Sequence, residues 1–131
     1  MTKIIFPDFD KKLEIAKKLI AFKVQESLKR KLTPAYGKDT GFLKANIFAK
    51  VDEDKIVIDM PYYAAYLEFG TSPHIIKPVH AKALHWKTDS GKDVFAQLVH
   101  HPGTRPFPFI RNTFNLELKD ILIQSFKQAF N

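Results

Sequence analysis

The 131-residue chain contains no cysteine. That excludes disulfides, thiolate metal sites and a cysteine nucleophile. Long apolar runs are missing as well: none approaches the ~20 residues of a membrane span. The N-terminus does not set a basic stretch before an apolar one, as a secretory signal does. The expectation is a soluble, cytoplasmic protein without a membrane partner. Glycine occurs only five times and never as G-x-G-x-x-G or a Walker loop. G-x-S-x-G, H-E-x-x-H and H-x-x-x-H are absent too. Acid is scarce, with 14 Asp and Glu against 21 Lys and Arg.

What the chain does have is aromatic bulk, including twelve phenylalanines. Its length suits one domain covering 1–131 with a real core. The positive charge is concentrated in residues 1–32, where nine Lys/Arg face four Asp/Glu. Three readings stay open for that basic stretch: a solvated face, an acidic neighbouring subunit, or nucleic acid. Nucleic acid is not favoured, because Arg30 is the only arginine there and no ring on the charged face offers base stacking.

Periodicity predicts an amphipathic helix over 8–32, with Asp8 as N-cap. Phe9, Leu13, Ala16, Ile20, Val24 and Leu28 share one face. Ile15, Leu19 and Phe22 widen the apolar side, so this helix has surface for two partners. After a loop at 34–41, the alternation of Leu43, Ala45, Ile47, Ala49 and Val51 predicts a strand. Asp52-Glu53-Asp54 turns the chain into a second strand from Lys55 to Met60, giving an antiparallel hairpin. A short helix is expected over 62–69, stopped by Gly70. A loop at 70–82 precedes strands at Leu84–Lys87 and Asp93–His100. A proline-rich loop then leads into a second long helix over 109–130, with Pro108 in its first turn. On its face lie Ile110, Phe114, Leu118, Ile121, Leu122, Ser125, Phe126 and Ala129. The fold class expected is α+β: about four mainly antiparallel strands in one sheet, long helices at both ends of the chain, and a short helix between the hairpins.

Few residues nominate chemistry. His74, His80, His85, His100 and His101 lack metal-ligand spacing, so no metal and no cofactor are expected. Asp52, Glu53 and Asp54 read as a turn. Glu68 lies in an apolar stretch beside Tyr66 and Phe69, with no second carboxylate to support acid–base work. Its expected role is to pair with Arg105 or Arg111, or to cap backbone donors. Tyr62, Tyr66 and Phe69 share one helical side, suited to core or to an interface. Three prolines stiffen the 101–108 loop, which would lose little entropy on docking. The chain reads as a non-enzyme.

Several blocks occur in a set order: Gly37-x-x-Thr40-Gly41-x-Leu43, Tyr63-Ala64-x-Tyr66-x-Glu68-Phe69-Gly70-Thr71, Lys82-Ala83-Leu84-x-Trp86, Val94-Phe95-Ala96, and His100-x-Pro102-Gly103-Thr104-Arg105-Pro106. Together, from about residue 10 to residue 125, the chain resembles the tail-component family of tailed bacteriophages. Those are small head–tail neck or tail-completion proteins of phages and prophages. It departs at Lys38-Asp39, where that family often has Arg. The resemblance implies a ring-forming virion part without catalytic residues, whose partners are itself and neighbouring neck or tail proteins. Localisation would be the virion, with the bacterial host cytoplasm during assembly. The resemblance points to Glu68, Phe69, Gly70, Thr71, Pro102, Gly103, Arg105, Pro106 and Phe109 as loop-shaping positions, and Tyr66, Pro73 and Thr104 join them as interface and loop-shaping candidates.

Overall fold

The computed structural model describes residues 1–33, 40–78 and 82–131, with His101 described by its backbone alone. The element order is α1 (Phe9–Lys31), α2 (Thr40–Ala45), β1 (Phe48–Asp52), β2 (Lys55–Asp59), α3 (Ala64–Phe69), β3 (His74–Ile76), β4 (Leu84–Lys87), β5 (Asp93–Ala96), β6 (Val99–His101), α4 (Phe109–Asn112), a π-helical stretch (Thr113–Glu117) and α5 (Leu118–Phe130). The fold is α+β, with long helices at the two ends and antiparallel strands between them. The strands do not join into one sheet. They form three separate two-stranded ladders, β1–β2, β3–β6 and β4–β5.

α1 buries Ala16, Ile20, Val24 and Leu28 as their spacing predicts. Asp8 precedes the helix but does not cap it. Its backbone is left-handed at φ 57° and its side chain bonds no amide there. The helix starts instead on the Asp8 carbonyl, which accepts the Lys12 N–H at 2.9 Å. Ile15 and Phe22, on the side of α1 away from Ile20, are exposed.

The strand expected from Leu43 begins later. Residues 40–45 are helical, and the ladder starts at Phe48. Leu43 and Ile47 are both fully buried while Ala45 between them is exposed, which suits a helical turn, since a pleat would set all three on one face. Asn46 closes this turn, its amide donating to the Leu43 carbonyl and its Nδ2 to the Phe42 carbonyl. Ala and Lys are good helix formers, so period-two alternation over so short a stretch was ambiguous. The rest of the loop expected at 34–41 lies outside the described residues, as does His80.

Leu28, Leu32, Leu43, Ile47, Ala64, Phe109 and Ile121 meet in one core, backed by half-buried Ile56, Ile58 and Met60. α1 lies between α5 on one side and the β1–β2 hairpin on the other. The expected C-terminal helix runs from Phe109 to Phe130, but its phase slips at the π-helical stretch. The wider turn admits an extra residue. Thr113 turns inward and is fully buried, while Phe114 turns out and is 41 % exposed. Leu122 and Phe126, expected on the core face, are also exposed.

Candidate assembly site

α3 ends where its sequence says it should. Gly70 takes φ 73°, and no side chain would fit there: a Cβ would lie 2.6 Å from the Thr104 carbonyl oxygen. Gly103 is its counterpart at φ 84°, where a Cβ would lie 2.3 Å from the Thr71 carbonyl oxygen. Between these glycines the backbones cross as a two-residue antiparallel bridge. The Thr71 N–H donates to the Thr104 carbonyl at 3.1 Å, and the Thr104 N–H to that of Thr71 at 3.0 Å. The two hydroxyls are 3.1 Å apart. Beyond the crossing, β3 and β6 continue the pairing, Ile75 opposite His100. Two motifs 33 residues apart in sequence are thus one structure.

Glu68 locks that structure to the second long helix. Its carboxylate is 2 % exposed and accepts three hydrogen bonds. The Ile110 amide donates at 2.8 Å, the Arg111 amide at 3.0 Å and the Arg111 Nε at 2.9 Å. Arg111 Nη2 donates to the Glu68 backbone carbonyl at 3.1 Å. A carboxylate at a helix start satisfies orphan amides and opposes the positive end of the helix dipole. Of the two arginines the sequence offered, the structure selects Arg111, and it adds the backbone cap. The Phe107 amide donates to the Leu67 carbonyl at 2.8 Å, closing a second tie between the same segments. Phe109, just inside the helix, is fully buried. Three of the roughly four acceptor positions of the Glu68 carboxylate are thereby occupied from the protein, as suits a structural joint.

Outside this joint stands an aromatic surface. Tyr62 (83 %), Tyr66 (57 %) and Phe69 (68 %) are exposed, so the stripe is surface in the protomer. Tyr62 meets Tyr66 and Tyr63 edge-on, with centroids 6.3 and 6.2 Å apart. Phe42 stacks on Tyr63 at 6.1 Å. The Arg111 guanidinium lies over the Phe69 ring at 5.5 Å, so the cation that holds Glu68 also steadies the outermost ring. Pro73, Pro102, Arg105 and Pro106 are exposed around the crossing, and Thr71 and Gly103 are half-buried within it. All twelve candidate positions therefore belong to one region, whose inner members form the joint and whose outer members face solvent.

Other chemistry is thin. Among the described residues, no group of three or more His, Cys, Asp or Glu stands together. His85 bonds Asp93 at 3.0 Å and stacks on Phe95, within the β4–β5 ladder. No described helix is long and apolar enough to cross a membrane.

One polar cluster escaped the sequence reading. Glu117, in the π-helical stretch, accepts from the Ser27 hydroxyl at 2.6 Å and pairs with Lys31 and Arg30 of α1. Ser27 also lies 3.3 Å from the buried Thr113 hydroxyl. The Lys31 hydrogen bond, then that from Ser27, holds the Glu117 carboxyl below its ordinary value. Ser27, falling among Val24 and Leu28 on the core face of α1, was the one signal that a polar partner was required.

Compared with protein-family models, curated proteins and solved structures, the chain matches none of them.

Proposed function

We propose that this chain is a structural component of a tailed-bacteriophage or prophage particle, at the head–tail junction or in the tail, and that it works as an oligomeric ring. The observation that supports this most is the surface of the single copy. Large apolar side chains remain exposed on it, among them Tyr62 at 83 %, Tyr66 at 57 % and Phe69 at 68 %. Much of the exposed apolar area is large rings, and Tyr62, Tyr66 and Phe69 stand together on a rigid base. Tyr and Phe held in that way are what buried interface centres use. A head-to-tail contact repeated by rotation closes into a ring. The same ring face would meet neighbouring neck or tail proteins, and the protein would reside in the virion after assembly in the host.

The test is light scattering behind gel filtration, at high concentration and with candidate neck or tube proteins added. The expected result is a closed oligomer, alone or on a partner, that Tyr66→Asp with Phe69→Asp breaks down. A protein whose mass is unchanged by those substitutions and which binds no neck or tube protein would overturn the reading.

A further inference from the structure

The free edge of β2 carries a second, independent contact. Gln25 of α1 accepts the Ala49 N–H at 2.8 Å, so Ala49 turns its backbone groups away from β2. Its cross-strand partner Ile58 must then turn its own groups away from β1, and so must Ile56, two residues back. The outer edge of β2 thus presents the N–H and C=O of Ile56 and Ile58. Among the described residues no strand pairs with that edge. β1 is shielded by α1 and Gln25, whereas β2 contains no proline, has no covering strand among the described residues, and has Ile-Val-Ile at its centre. Such an edge is a template for another chain.

The sequence of the strand says which chain. Lys55-Ile56-Val57-Ile58-Asp59 is its own antiparallel complement. A second copy centred on Val57 sets Lys55 opposite Asp59, Ile56 opposite Ile58, and Val57 opposite itself. We propose that β2 is a self-pairing edge through which two copies join about a two-fold axis, making a continuous four-stranded sheet β1–β2–β2–β1.

The hydrogen-bond phase agrees with this register. Ile56 and Ile58, whose groups point outward, fall at the hydrogen-bonded positions and exchange all their free donors and acceptors. Lys55, Val57 and Asp59 fall at the wide positions, where side chains approach most closely. Sliding the register by one residue sets outward groups against inward ones. Sliding it by two loses the Lys55–Asp59 pairs. The faces agree as well. Ile56 and Ile58 are only half-buried against the core and would meet their counterparts on that same side. Lys55 and Asp59 lie on the opposite, solvent face, where Asp59 already has Lys50 3.9 Å away. This contact is separate from the aromatic surface and does not rest on a ring.

The cysteine-free chain allows a clean test. Val57→Cys places two thiols across a wide antiparallel pair, a spacing that disulfide geometry accepts. Asp89→Cys, on the exposed β4–β5 turn, is the control for random collision. Under mild oxidation Val57→Cys is expected to form covalent dimer at least roughly tenfold faster than the control. In the Val57→Cys background, Lys55→Asp and Asp59→Lys are each expected to slow self-crosslinking roughly tenfold. Mixing those two variants restores it, because each then meets the opposite charge. Residues 55 and 59 are exposed, and circular dichroism checks that every variant is folded. Crosslinking no faster than the control, or charge variants that self-crosslink like the parent, would overturn the proposal. Neither outcome bears on the ring, which is read from Tyr66 and Phe69.

Discussion

Glu68 shows how much one side chain can decide. Three donors converge on its buried carboxylate, and two of them are backbone amides that α4 itself leaves unpaired. Glu68→Ala strands those donors and is expected to lower unfolding free energy by about 3 kcal/mol, because bonds to a charged acceptor are the strong ones. Urea denaturation measures it, and a loss under about 1 kcal/mol would mean that water replaces the carboxylate without penalty. The glycines make a sharper comparison. Gly91 and Gly103 share almost the same backbone angle, φ 83° and 84°. A Cβ on Gly91 meets nothing, while one on Gly103 drives into the Thr71 carbonyl. Gly91→Ala should cost about 1 kcal/mol from left-handed strain alone. Gly103→Ala should cost at least about 2 kcal/mol more, since the crossing must open. Equal losses in the two variants would show that the close approach contributes nothing.

Between elements, the contact of α1 with the C-terminal helix depends on a charged network as well as on packing. The folded-state pKa of Glu117 is depressed by Lys31 and Ser27. Its contribution is therefore complete above the ordinary carboxylate value of 4.5 and is lost as pH falls through the lower folded value. Thermal melts below about pH 4.5 should show the parent losing stability with acid, and Glu117→Gln losing less over the same range. Parallel curves for the two proteins would remove Glu117 from the acid response. The same elements show what the sequence made legible. α1, the β1–β2 hairpin, α3, β4 and the joint at Glu68 followed from spacing, capping logic and turn residues. α2 was hidden because Leu43 and Ile47 fit either period and the small Ala45 is tolerated on either face. The slip that exchanges Phe114 for Thr113 was hidden because a π turn changes hydrogen bonding without any marker residue. β3, paired with β6, was hidden because its partner is remote and Pro73 beside it suggested a loop.

At the scale of the whole molecule, stability is unevenly distributed. The core joins α1, β1–β2, α3 and the C-terminal helix, whereas the β4–β5 ladder has little contact with any other described element. A lone two-stranded hairpin is marginal in water. Hydrogen exchange on the isolated protein should protect amides around Ile20 to Leu28 most, and those of Leu84–Lys87 and Asp93–Ala96 least. Equal protection in the two regions would show that the hairpin is held by something beyond its own ladder. Assembly that covers the hairpin would slow its exchange selectively.

The pairing of the first helix with the last has a consequence for biosynthesis. Lys23 bonds Gln128 at a sequence separation of 105, and Ser27 reaches Glu117 at one of 90. A ribosome delivers α1, with Ala16, Ile20 and Val24 arrayed along one stripe, well before it delivers α5. Until α5 emerges, that stripe has the β1–β2 hairpin to lean on but not its helical partner. The nascent chain therefore cannot complete this packing before α5 has left the ribosome, and until then the apolar stripe is open to non-native contacts.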